Sequence, residues 1–153
     1  MAKAKQPKPR RDANRTQWAA QFAVASELVK RGHEVAFTMG NHPMKDVLAL
    51  SPKGKPFAVD VKGQYAKNVW PVKKRAPNPD LYYIFAYVPD QGRNRFFVLN
   101  QDEVNERIDL TFQTAAANKL AKKGQVLDSS KYFHGVTWKQ IEEFDTMWTK
   151  FPK

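Results

Sequence analysis

The chain has 153 residues, 26 Lys and Arg against 15 Asp and Glu, and no Cys. Its length suits one domain with a core of its own, and a hydrophobic fraction of 42% with ten Phe and four Trp excludes a disordered chain. The lack of cysteine excludes a disulfide scaffold, a Cys-ligated zinc site and a thiol nucleophile.

The net charge of +11 is unevenly spread. Residues 1–15 hold six basic groups, Arg10, Arg11 and Arg15 among them, against the single acid Asp12. Residues 45–75 hold eight, against Asp46 and Asp60, and the remainder is neutral. A basic tail and a basic central segment are what a phosphate backbone attracts. No apolar run approaches the ~18 residues of a membrane span. Nor does the N-terminus carry an apolar signal core. The expectation is a cytoplasmic protein with no membrane partner.

In chain order, residues 1–12 read as a disordered Lys/Pro-rich arm, and 13–153 as one domain. Asp12 or Asn14 can cap a helix whose apolar spacing runs Trp18, Phe22, Ala25, Leu28, Val29, with Gly32 as its stop. His33 to Thr38 alternates as a short strand, and residues 39–43 form a turn. Asp46 to Leu50 reads as a buried strand, Ser51 to Pro56 as a turn and Phe57 to Lys62 as the return strand of a hairpin. Residues 63–79 read as a basic loop. Leu81 to Val88 suits a strand buried on both faces, and Arg95 to Leu99 forms another. Asn100 or Asp102 can cap a helix toward Ile108, and a further helix is expected around residues 115–123. The spacing Trp138, Ile141, Phe144, Met147, Trp148 predicts a C-terminal amphipathic helix. The order gives an α/β fold, or α+β, with a mixed sheet of about five strands flanked by helices.

The hairpin carries the chemistry. Asp60 and Lys62 are two apart on a strand and project to one face, and antiparallel pairing can bring Asp46 beside them. Two close carboxylates repel unless a cation sits between them, and hard oxygen ligands suit Mg²⁺. A neighbouring lysine can orient water or neutralise a transition-state phosphate. Together these groups fit metal-assisted phosphodiester hydrolysis.

Asp46, the turn and Asp60-Val61-Lys62, with the preceding helix and strand from Gln21 to Val35, resemble the PD-(D/E)xK nuclease superfamily. The likeness is to its small members related to Holliday-junction resolvases and restriction enzymes, over residues 17–100. It implies a restriction-endonuclease-like domain and a Mg²⁺-dependent DNA endonuclease, with Mn²⁺ able to substitute. It further implies a homodimer acting on branched or broken duplex. Asp46 and Asp60 would hold the metal, and Lys62 would act on water or the transition state. The first helix of the family supplies a glutamate. Here that position is Gln21, and Glu27 is the nearest acid, about 240° away around an ideal helix. Either Gln21 or Glu27 completes the site, and Gln64 helps to place the phosphate. DNA would meet the basic arm through Arg10, Arg11 and Arg15, and the central segment through Lys45, Lys67, Lys73, Lys74 and Arg75. Trp70 would stack on a base or sugar. The rival readings are a non-catalytic nucleic-acid-binding protein on the same fold and a small basic structural or assembly protein.

Overall fold

The computed structural model describes residues 11–39, 42–43 and 45–153. The arm up to Arg10, and Gly40, Asn41 and Met44 of the expected turn region, lie outside the described residues. The first helix, α1, spans Ala13–Lys30. Asp12 caps it, its side chain accepting the Asn14 N–H at 2.9 Å. Ala20, Val24 and Leu28 bury one stripe, and Gly32, at φ +85°, turns the chain away.

Strands β1 (Glu34–Phe37), β2 (Val47–Leu50) and β3 (Pro56–Gln64) form an antiparallel meander. After the two-residue β4 (Trp70–Pro71), β5 (Leu81–Tyr87) pairs with β3 in parallel, and β6 (Arg95–Asn100) returns antiparallel to β5. The five-stranded mixed sheet has the order β1-β2-β3-β5-β6, so β3 is its middle strand. The α/β reading with a mixed five-stranded sheet between helices holds.

Two cores cover the two faces. On one, α1 packs on Phe57, Val59 and Val61 of β3 and on Ile84 and Ala86 of β5. On the other, helix α2 (Gln101–Lys123) packs on Ala58, Leu81, Tyr83 and Phe85 through Val104 and Ile108. α2 is one helix where two shorter pieces were expected. Asn100 caps it in a capping box with Glu103, and none of its residues beyond Thr111 is fully buried, which is why its second half reads poorly as a core element.

Three other expectations are corrected. β2 alternates rather than being buried throughout: Leu48 is 44% and Leu50 40% exposed, on the α2 side of the sheet but outside the part that α2 covers. The segment 63–79 is not all loop. β3 runs on to Gln64, and β4 pairs with β7 (Gly135–Val136) in a small second sheet. The C-terminal stripe is not one helix. Its α3 is a single turn, Trp138–Ile141, followed by 3₁₀ turns at Glu142–Phe144 and Trp148–Lys150. Between the turns Asp145 bridges Phe97, the Thr146 N–H reaches the Phe96 carbonyl at 2.9 Å and Thr146 adopts φ +56°. The stripe wraps the β6 edge, giving Ile141 and Phe144 to one core and Trp148 and Phe151 to the other. A helix has one apolar face and could not serve both.

Among the described residues no helix is long and apolar enough to cross a membrane. Where α1 crosses β3 the backbones nearly touch. A Cβ on Gly63 would lie 2.8 Å from Ala20 Cβ and 3.1 Å from the Thr16 carbonyl oxygen. Gly63→Ala is therefore expected to lower stability by about 1–3 kcal/mol, read as a lower urea midpoint with an unchanged m-value.

Candidate active site

The site is built where β2 parts from β3. The last full cross-strand pair is Val47 with Val59, and the Asp46 N–H still reaches the Val59 carbonyl at 3.0 Å. Beyond it β3 has no β2 backbone to pair with. Asp46 Oδ2 instead accepts the Val61 N–H at 2.7 Å. The Gln17 amide of α1 takes over the rest of the ladder, donating to the Val61 carbonyl at 2.7 Å and accepting the Gly63 N–H at 3.3 Å. Backbone groups at a strand end need such partners. Gln21 donates to Asp46 Oδ1 at 3.3 Å, and its own Oε1 is buried without a hydrogen bond.

Burial raises the Asp46 pKa above the usual carboxylate value. The Val61 N–H pulls it back, the Asp60 charge raises it further, and Lys62 offsets part of that. The two carboxylates therefore feel each other, as the hairpin register predicts.

Asp60 points to the opposite face, beside Tyr83 in the parallel register. It is 1% exposed. Lys62 Nζ stands 2.8 Å from Oδ1, and the Arg75 guanidinium is 3.7 Å from Oδ2. Both contacts are ionic, and among the described residues neither oxygen receives a directed hydrogen bond. The first turns of α2 hold this side. The Gln101 Oε1 accepts the Tyr83 hydroxyl at 2.7 Å, and the Asn105 amide clamps the Arg75 backbone N–H and carbonyl at 3.1 and 2.7 Å. Tyr83 has its pKa raised, by burial first and by the Asp60 charge second. A cleft of about 650 Å³ opens here, lined by Asp60, Lys62, Lys73, Lys74, Arg75 and Tyr83 and, from the segment after α2, by Tyr132, Phe133 and His134.

Of the expected site residues, Asp46 and Gln21 stand together on the α1 side of the end of β2, while Asp60 and Lys62 line the cleft on the other face with Lys73, Lys74 and Arg75. Others stand elsewhere. Glu27 is held by Lys30 and Arg31 on its own helix, where the Arg31 hydrogen bond chiefly lowers its pKa, so it does not complete the site. Gln64 staples its own loop, donating to the Val69 carbonyl at 2.7 Å and accepting the Asn68 N–H at 3.3 Å, and is not among the residues that line the cleft.

Trp70 is a core residue, 1% exposed, stacked on Trp138 at 5.2 Å and edge-on to Phe85 and Phe97, and no base can reach it. Lys67 lies over the Trp138 ring, and Lys74 pairs with Asp109 at 2.8 Å. Arg11 donates to the Val88 carbonyl at 2.6 Å and pairs with Asp90, so it anchors the start of α1 rather than belonging to a free arm. Arg15 is exposed on α1, and Lys45 lines a separate groove beside Leu48. Sequence reasoning missed Tyr83, Gln101, Asn105 and Phe133. The polar i, i+4 pair Gln101–Asn105 on the buried side of a helix was the available signal.

The residues fit a hard divalent cation. Asp60 is a buried carboxylate balanced by Lys62 and Arg75, and among the described residues neither of its oxygens accepts a directed hydrogen bond, so both keep lone pairs that a cation can take. Asp46 and Gln21 bring further oxygens, and Gln21 presents Oε1 to Asp46 if its amide turns over. Among the described residues no group of three or more His, Asp or Glu is placed to hold a metal. Mg²⁺ is commonly held by one or two carboxylates, with water and phosphate completing its shell, so a pair suffices.

The raised Asp46 pKa has a thermodynamic sign. Its ordinary value is 3.8, and a folded value above it means that the native state binds protons more tightly than the unfolded chain. Ionised Asp46 therefore costs stability above the folded pKa, and the cost fades as pH falls toward the ordinary value. Asp46→Asn keeps an acceptor for Val61 and drops the charge. It is expected to melt higher than wild type at neutral pH without metal, with the gap closing as pH falls toward 3.8. Thermal melts across that range check this; a variant less stable than wild type at neutral pH contradicts it. No family model, no curated protein and no solved structure matches the chain, so the site is assigned from its own residues.

Proposed function

We propose that the chain is a metal-dependent DNA endonuclease of the PD-(D/E)xK type, hydrolysing phosphodiester bonds in the cleft beside β3. The observation that carries this reading is Asp60, a buried carboxylate at a solvent cleft whose partners among the described residues are the cations Lys62 and Arg75, and whose charge raises the pKa of Asp46. Asp46 and Asp60 would hold Mg²⁺, or Mn²⁺ in its place. Bound there, the ion would polarise a phosphoryl oxygen and make a bound water more acidic.

The remaining work falls to the side chains of this chain. Lys62, two residues beyond Asp60 and partly exposed, can donate to an attacking water or to the oxygen on which charge develops. Arg75, fixed through its backbone by Asn105, offers a planar donor fork to a phosphate. Lys73 adds charge at the rim, where backbone phosphates would run. Asp46, hydrogen-bonded to Val61, is held facing the strand end and does not swing with solvent.

A second reading has one observation in its favour: Glu27 is sequestered by Lys30 and Arg31, and the first helix offers the neutral Gln21 in its stead. On that reading the cleft binds DNA without cutting it.

Incubation of branched and linear DNA with Mg²⁺ or Mn²⁺ separates the two. Wild type is expected to cut. Lys62→Ala is expected to slow cutting by about 10²–10³-fold, and Asp60→Asn, which preserves side-chain volume, to abolish the metal-dependent cutting. Metal-independent binding with no cutting by wild type would instead establish the binding protein.

A further inference from the structure

The cleft has a second wall that the hydrolytic chemistry does not use. After α2, the chain returns through a 3₁₀ turn at Ser129–Lys131 and presents Tyr132, Phe133 and His134 before entering β7. Tyr132 and His134 are locked. Each packs against Phe112 of α2, at 5.2 and 5.9 Å between ring centroids, and they meet each other at 5.3 Å, while His134 Nε2 sits 3.1 Å from the Ser129 carbonyl oxygen. Phe133, between them, is 68% exposed and lines the cleft. Among the described residues no other ring packs on it. Leaving a phenyl ring in water forgoes about 1.5–3 kcal/mol of burial, yet its neighbours are pinned so that it projects.

Facing the same space are Lys62, Lys73 and Arg75. Arg75 is engaged with Asp60, whereas Lys73 has no acidic partner among the described residues. Cations on one side and a projecting aromatic ring on the other are the two elements of a single-strand platform: charge follows the backbone and the ring stacks on a base. In a paired duplex both faces of every base lie inside the stack. Within a duplex an aromatic side chain reaches a base face only by prising a step apart, whereas an unpaired base offers its face without that cost.

We propose that Phe133 is a base-stacking residue and that the cleft takes an unpaired DNA strand, its backbone along Lys73 and Arg75 and a base on the Phe133 ring. This deepens the nuclease reading by naming the form of substrate, and rests on it in taking DNA as the occupant.

The test is DNA binding by the full chain in EDTA, where no cutting occurs, followed by fluorescence anisotropy. The probes are a labelled single strand, the same strand carrying abasic sites, and its fully paired duplex. Phe133→Ala is expected to weaken binding of the intact single strand about tenfold and to leave the abasic strand unaffected. Phe133→Trp is expected to restore the intact strand. Lys73→Ala should weaken all three probes and lower the salt dependence by about one phosphate contact.

The proposal is overturned if wild type does not bind the single strand, or if Phe133→Ala binds the intact strand as wild type does. Equal loss on intact and abasic strands overturns it as well, since that reports a general effect on fold or charge. The two readings fail separately. A wild type that does not cut with Mg²⁺ but shows the base-dependent loss keeps the platform and loses the nuclease. A wild type that cuts while Phe133→Ala changes nothing keeps the nuclease and loses the platform.

Discussion

The site depends on one broken ladder. β2 stops pairing with β3 at Val47, two residues short of Val61, and the exposed β3 backbone has to be satisfied by side chains. Asp46 and Gln17 do this, and the requirement places a carboxylate at the sheet's own hydrogen-bonding edge. A regular strand would have continued the pairing and turned Asp46 to one face or the other. Because the strands part, Asp46 lies at the junction, between α1 on one side and Asp60 on the other. Its pKa is raised for the same reason: the position is buried and already has a neighbouring negative charge.

Asp60 shows the corresponding cost on the second face. Its carboxylate is surrounded by Tyr83 and the α2-side core and balanced by Lys62 and Arg75 without a directed hydrogen bond. Removing one partner of such a buried pair costs about 3–5 kcal/mol, whereas an apolar residue of similar size in place of the whole group would cost little. A fold optimised for stability alone has no need of this group. Stability given up at a cleft, near a second buried carboxylate, is the cost that the proposed active site would carry.

The hairpin part of the site was legible because strand periodicity is local. Spacing of two puts Asp60 and Lys62 on one face, and the Asp46 register follows from the short turn. The first helix was half legible: its stripe and its Asp12 cap are sequence features, but choosing between Gln21 and Glu27 needed the crossing over β3, which Gly63 permits by lacking a Cβ. The aromatic residues were misread for a different reason. Trp70 sits in a basic, proline-punctuated stretch and looks exposed, yet it enters the core because β4 pairs with β7 some 65 residues later. That is a non-local contact with no periodicity to announce it. The C-terminal stripe failed similarly, since helical spacing was shared between two cores by a chain reversal at Thr146.

The pairing of β4 with β7 also explains how core and rim are linked. Gly135 lies so close to β4 that a Cβ would come within 2.4 Å of the Trp70 carbonyl oxygen. This close approach lets Trp70 and Val136 face the core side by side. Phe133 is two residues before Gly135, where the chain has not yet entered the sheet. The same contact that seats Trp70 therefore sets where the segment 132–134 meets the cleft. Phe112 then fixes the rings on either side of Phe133, so the exposed position of that ring is set by packed structure and not by a free loop. A platform held in this way loses little conformational freedom when a base settles on it, because its neighbours were ordered on folding. The stacking role that the sequence suggests for Trp70 is the one proposed for Phe133, a residue placed by the core that Trp70 helps to build.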